Sequence, residues 1–304
     1  MKSSLANQVK QLCEQRNAII LAHNYTMGEV QDIADFVGDS LGLSQAAADT
    51  DADAIVFCGV HFMAETASIL SPSKTVLMPD RDAGCPMADM VAPDALREMQ
   101  EEHPGCITVT YVNSSAAVKA LSDVCCTSAN AVRVVDSLPA DRTILFVPDQ
   151  NLGAYVAGKL GREMVLWPGY CPTHHRILPE TVEEARAQHP NAKLVVHPEC
   201  RPAVVALADA VDSTTGILRY CRETNAAEFL VGTEIGILHR LRKENPGKAF
   251  YPLAPTMTCP NMKRNNLERI LWCLQDMAPE VAVPQDVAEK ARRPIERMLE
   301  IRGG

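Results

Sequence analysis

Pro168-Gly169-Tyr170-Cys171-Pro172 lies near the middle of the 304-residue chain, and its Cys-Pro step recurs at Cys85-Pro86 and Cys259-Pro260. The three cysteines stand 86 and 88 positions apart, a period that points to a repeated structural unit. Each follows a short apolar run: Thr75-Val76-Leu77-Met78, Met164-Val165-Leu166-Trp167, and Ala249-Phe250-Tyr251. Further features keep the same register. His23, Tyr111 and His197 close the runs Ile19-Ile20-Leu21, Ile107-Thr108-Val109 and Leu194-Val195-Val196. Seventeen residues beyond each lies a hydroxyl, Ser40, Ser128 or Thr214, and five before each hydroxyl an acid, Asp35, Asp123 or Asp209. Another apolar run opens each second half, at Ile55-Val56-Phe57, Ile144-Leu145-Phe146 and Phe229-Leu230-Val231.

Continuous apolar runs of strand length, alternating with helical patterns, indicate parallel strands buried on both faces. The expected fold is α/β: three pseudo-symmetric units, each a short parallel sheet with flanking helices, around a central active site. The spacing divides the chain into residues 1–103, with an N-terminal helix and the first unit carrying Cys85, then 104–189 with Cys171 and 190–275 with Cys259. A C-terminal helical tail follows at 276–304, in which Pro284 suits a first helical position. Units of about 87 residues bury a modest share of their surface, so they are expected to share interfaces.

With 29 basic and 38 acidic side chains the formal charge is −9, which disfavours nucleic acid and anionic membranes as partners. Apolar residues make up 47% of the chain, but no stretch approaches the uninterrupted length of a membrane span. Residues 5–16 alternate polar and apolar and form no signal-peptide core, so a cytoplasmic location is expected. The 11 cysteines never form CxxC, which fits neither a disulfide framework nor a thioredoxin-like motif. Most are expected to be buried thiols, the adjacent Cys125 and Cys126 among them. His174 and His175, close behind Cys171, are a weak metal-ligand signal.

In open parallel sheets ligands bind beyond the carboxyl ends of the strands. His23-Asn24-Tyr25, Tyr111-Val112-Asn113-Ser114 and His197-Pro198-Glu199 fall at those ends. Ser40, Ser128 and Thr214 fall where a strand hands over to a helix, and are expected as N-caps beside an anion. Three units about a pseudo-threefold axis bring Cys85, Cys171 and Cys259 to one point. Three thiolates leave a fourth position open, which suits a catalytic zinc or a cubane cluster with one free iron. Three helix N-termini on one cavity predict a ligand with several separated anionic groups.

Together with Gly38-Asp39-Ser40, Gly84-Cys85-Pro86, Ser213-Thr214-Thr215-Gly216 and Met257-Thr258-Cys259-Pro260, these motifs closely resemble the quinolinate synthase family over essentially the whole chain. Some members carry CxxCxxC around the third ligand, whereas Thr256 and Met262 flank Cys259 here. The resemblance implies one [4Fe-4S] cluster held by Cys85, Cys171 and Cys259. It implies condensation of iminoaspartate with dihydroxyacetone phosphate to quinolinate, in pyridine nucleotide biosynthesis. It also implies a substrate cavity lined by His23, Ser40, Tyr111, Val112, Asn113, Ser128, His197, Pro198, Glu199 and Thr214, with Glu199, His197, Tyr25 and Tyr111 as the groups that move protons. Iminoaspartate is unstable, so a transient contact with an aspartate-oxidising enzyme is an open reading. Two other classes stay open: a zinc or iron-sulfur hydro-lyase acting on another polycarboxylate, and a non-catalytic redox or metal sensor.

Overall fold

A computed structural model describes residues 2–301. Twelve strands form three four-stranded parallel sheets. The first contains β1 (Ala18–His23), β2 (Phe36–Gly38), β3 (Ala54–Cys58) and β4 (Thr75–Leu77), in the order β2-β1-β3-β4. The second contains β5 (Ile107–Tyr111), β6 (Val124–Cys126), β7 (Ile144–Val147) and β8 (Val165–Leu166); the third β9 (Lys193–Val196), β10 (Ala210–Val211), β11 (Glu228–Gly232) and β12 (Ala249–Pro252). Their orders, β6-β5-β7-β8 and β10-β9-β11-β12, repeat the first. The fold is therefore α/β with three matching sheets.

The apolar runs become strands because both faces of each sheet are covered. Alternate residues point to opposite sides: Ile20, Ala22, Val56 and Cys58 enter one core with the helices Lys2–Arg16 and Leu267–Asp276, while Leu21, Ile55 and Phe57 enter the large central core. In the third sheet Leu194, Val196 and Leu230 face one cluster, and Val195, Phe229 and Val231 the other. The repeated acids have a shared structural role. Asp35, Asp123 and Asp209 each use Oδ2 to accept the main-chain N–H of Ile20, Thr108 or Leu194, at 2.7, 2.8 and 2.8 Å. Their own N–H groups donate to the carbonyls of the same three residues. Each acid thus fastens an edge strand to its neighbour.

The expected N-caps fall one residue earlier in the first and third units and are absent from the second. Asp39 caps the helix Ser40–Asp49 by accepting Gly42 N–H at 3.0 Å, and Ser213 caps Thr214–Glu223 by accepting Gly216 N–H at 3.2 Å. Ser40 and Thr214 are first helical residues. Ser128 stands in a turn ahead of the helix Ala131–Asp136, where Asn130 Oδ1 accepts Thr127 N–H at 2.8 Å. A cap must have non-helical backbone and reach back to the second or third N–H, a position that Asp39 and Ser213 fill. Pro284 likewise precedes the last helix, Gln285–Glu300, which contains Pro294. That helix packs against β6 and the helices Ala116–Lys119 and His61–Leu70, joining parts of the first two sheets' layers. Among the described residues no helix is long and apolar enough to cross a membrane.

Candidate active site

Past the carboxyl ends of the three sheets lies a cavity of about 260 Å³. Its wall takes His23 from the end of β1 and Tyr25 from the loop after it, Tyr111 and Asn113 from the end of β5, and His197 and Glu199 from the loop after β9. Ser40, Ser128 and Thr214 face the same space, as do Cys85, Cys171 and Cys259. Val112 and Pro198 are buried but lie outside the wall; Val112 N–H donates to Cys126 O at 2.9 Å. The remaining eight cysteines lie away from the cavity wall, and all 11 are unpaired thiols.

Two histidines occupy equivalent turns. His23 Nδ1 accepts Tyr25 N–H at 3.2 Å, and His197 Nδ1 accepts Glu199 N–H at 3.3 Å. The proton of each neutral ring therefore sits on Nε2, and His197 Nε2 donates to Ser128 Oγ at 3.1 Å. Burial lowers the pKa of both to about 3; at His23 the neighbouring His197 adds to the effect. Both are neutral hydrogen-bond donors at pH 7.

Glu199 is the hub of a buried network. Its Oε1 accepts the Tyr111 hydroxyl at 2.6 Å, and its Oε2 lies 2.7 Å from His174 Nδ1. Burial opposes its ionisation, but the hydrogen bonds donated by His174 and Tyr111 outweigh it and hold the carboxyl below the usual range. His174 Nε2 is 2.9 Å from Thr233 Oγ1, which in turn lies 2.5 Å from the Tyr25 hydroxyl. With Nδ1–H donated to Glu199, Nε2 is the acceptor. Protons can pass from Tyr25 through Thr233 to His174, in the manner of a hydroxyl-imidazole-carboxylate triad. Burial, with Glu199 beside them, pushes both phenols well above their ordinary pKa, so they remain protonated. Asn151 Nδ2 fixes the backbone by donating to Glu199 O at 3.0 Å.

Sequence reasoning set His174 aside as a weak metal-ligand signal and missed Thr233. Thr233 directly follows β11, so its strand-end position was the available clue. Asn24, a member of a quoted motif with no role assigned, donates through Nδ2 to Thr214 Oγ1 at 2.9 Å and accepts Arg240 Nη1 at 3.1 Å. It thereby sets a hydroxyl of the third unit from the first. Arg176 and Lys-paired Glu234 add charge to the wall, with Lys263 Nζ 2.9 Å from Glu234 Oε1. Asn113 Oδ1 is buried without a hydrogen-bond partner among the described residues. A buried carbonyl left unpaired at a cavity wall is suited to a ligand donor.

The three wall cysteines have the chemistry of metal ligands. Neighbouring main-chain N–H groups ease ionisation of each thiol, from Ala88 and Met87 at Cys85, His174 at Cys171, and Met262 and Asn261 at Cys259. Burial nonetheless pushes Cys85 up to about 12 and Cys171 well above the thiol range, with Glu199 adding to Cys171. Partly buried thiols furnished with donors, but disfavoured as free thiolates, fit a site completed by a metal cation. A second set, Cys171, His174 and Glu199, also offers one ligand atom each within 4.8 Å of one another.

The comparisons with known proteins agree along the whole chain. The family model described as "NadA: Quinolinate synthetase A protein" matches residues 7–300. The quinolinate synthase of Geobacter metallireducens is 58% identical over 298 residues, 98% of each chain. That of Dehalococcoides mccartyi is 54% identical over 297 residues, 98% of each chain, and that of Methanosarcina barkeri 52% over 301 residues, 99% of each. A match of this extent and depth means that the chain belongs to the quinolinate synthase (NadA) family.

Proposed function

We propose that the chain is a quinolinate synthase of NAD biosynthesis, joining iminoaspartate to dihydroxyacetone phosphate with loss of phosphate and two waters. The observation that carries this reading is the presence of three distant cysteines on the same cavity as the Tyr111-Glu199-His174-Thr233-Tyr25 network. Cys85, Cys171 and Cys259 would hold a [4Fe-4S] cluster. When bound, that cluster supplies a Lewis-acidic iron without a protein ligand.

The chain's own groups account for the rest. Ionised Glu199 takes a proton from carbon or nitrogen of the condensing substrates, and Tyr111 donates the hydrogen bond that steadies it. His174 receives a proton at Nε2 through Thr233, and Glu199 stabilises the imidazolium that results. Neutral His23 and His197 donate from Nε2 without adding charge. The hydroxyls of Ser40 and Thr214, at the starts of two ten-residue helices, and of Ser128 bind substrate carboxylate and phosphate oxygens. This local arrangement receives anions despite the net charge of −9.

The test begins with iron, acid-labile sulfide and zinc in anaerobically purified protein. About four irons and four sulfides per chain are expected, followed by quinolinate formation from the two substrates. The Cys171-His174-Glu199 set favours a second reading, a mononuclear zinc hydro-lyase. About one zinc per chain without sulfide, persisting after anaerobic reconstitution, would select it.

A further inference from the structure

One backbone bond repeats beside every cysteine loop of the cavity. His61 N–H donates to Ala83 O, Gln150 N–H to Gly169 O, and Ile235 N–H to Met257 O, each at 2.9 Å. Each acceptor lies two residues before its cysteine, and this register makes Val60, Asp149 and Glu234 equivalent. The equivalence is structural but not chemical. Asp149 is fully buried; its Oδ2 accepts Cys171 N–H at 3.1 Å and its Oδ1 accepts Leu152 N–H at 2.7 Å. Glu234 is also fully buried; its Oε1 accepts Cys259 N–H at 3.0 Å and its Oε2 accepts Gly236 N–H at 2.7 Å. In the first unit the position holds Val60, whose side chain carries no acceptor for the Cys85 N–H.

The Cys85 loop is tied at another point and to another unit. Asp80, at the start of that loop, accepts Arg264 Nε at 2.7 Å and Nη2 at 3.2 Å, and pairs with Arg269 as well. Both arginines follow Cys259, and their side chains are 36% and 34% exposed. Two cysteines are thus held by buried carboxylates that accept their own N–H, and the third only through Asp80, a buried carboxylate five residues away paired with two partly exposed arginines from the segment after Cys259.

We propose that Asp149 and Glu234 are positioning residues that fix Cys171 and Cys259, and that Cys85 is a hinged ligand set by the Asp80-Arg264-Arg269 latch. The ligand role rests on the shared-cluster reading above; the tethering does not. Two fixed thiols form a standing platform, and closing the latch delivers the third. Cys85 is then the last ligand to bind a metal group and the first to leave it.

Hydrogen-deuterium exchange on the metal-free full-length chain reads the tethers directly, from peptides spanning each cysteine. The Cys85 amide should exchange about tenfold faster than those of Cys171 and Cys259, the effect of one net hydrogen bond. Asp149→Asn should speed exchange at Cys171 alone, and Arg264→Ala at Cys85 alone. In reconstituted protein, iron loss to a ferrous chelator should rise several-fold in Arg264→Ala. Raising salt to about 0.5 M should weaken the partly exposed pair and act in the same direction in the wild type, but add little in the variant, where the Arg264 pair that salt would screen is already gone. Equal protection of the three amides would overturn the hinge, as would an Arg264→Ala protein with unchanged exchange and iron retention. Asp80→Asn repeats the test from the other side of the latch. A chain that takes up no iron, yet keeps the exchange order, would overturn the ligand role and leave the tethers standing.

Discussion

Glu199 concentrates the chemistry because Tyr111 and His174 meet at its buried carboxylate while His197 and Asn151 fix its main chain, accepting its N–H and donating to its carbonyl. Replacing it by Gln keeps the shape and removes the charge. Glu199→Gln should retain iron and fold while quinolinate turnover falls about 10²- to 10³-fold, the scale of a lost acid-base group; steady-state kinetics beside an iron assay would decide. Unchanged turnover would remove Glu199 from the proton path. Thr233 tests the other arm. Thr233→Val preserves volume but breaks the link between Tyr25 and His174, so kcat should fall about 10-fold or more while KM changes little. Loss confined to KM would make Thr233 a binding residue.

At the level of elements, the repeated acids give an expectation that does not involve catalysis. Asp35 and Asp123 each satisfy a strand N–H with a carboxylate oxygen, at 2.7 and 2.8 Å. Asp35→Ala and Asp123→Ala should each lower stability by about 1–3 kcal/mol, by leaving that N–H without its acceptor. Urea denaturation would measure this, and metal content should not change. These acids were visible in the sequence as a triplet in register, like the strands, because period and apolar continuity are properties of the linear chain. The cysteines were visible for the same reason. Less was legible where one unit completes another. Asn24 reaches Thr214 across 190 positions, and Tyr25 reaches Thr233 across 208; no local spacing encodes such pairs. His174 was hidden differently: a His three residues after a Cys reads as a metal ligand, whereas here its ring is engaged by Glu199 and Thr233. The caps were misplaced by one residue because Asp39 and Ser40, or Ser213 and Thr214, are adjacent residues of similar capping ability.

Across the whole molecule, burial of His23 and His197 at the meeting point of the three sheets links folding to pH. Each ring uses its Nδ1 lone pair to accept an N–H two residues ahead, so protonation there must break that bond. Their folded pKa values, lowered to about 3 chiefly by burial, lie below the ordinary histidine value of about 6.5. Between those values the unfolded chain binds more protons than the folded one, so folding stability rises with pH. The contribution is fully present above about pH 6.5 and is lost as pH falls toward 3, at about 1.4 kcal/mol per pH unit for each histidine. Urea unfolding of the metal-free chain at pH 7, 6 and 5 should therefore show stability falling toward acid, by up to about 2.7 kcal/mol per unit from this pair. Partly buried His175, whose pKa is lowered by burial and Arg201, acts with the same sign. His23→Asn should remove about half of the slope due to the pair, whatever it does to the absolute stability. A profile flat from pH 7 to 5 would mean that these imidazoles are readily protonated in the fold, and would remove the neutral Nε2 donors from the proposed mechanism.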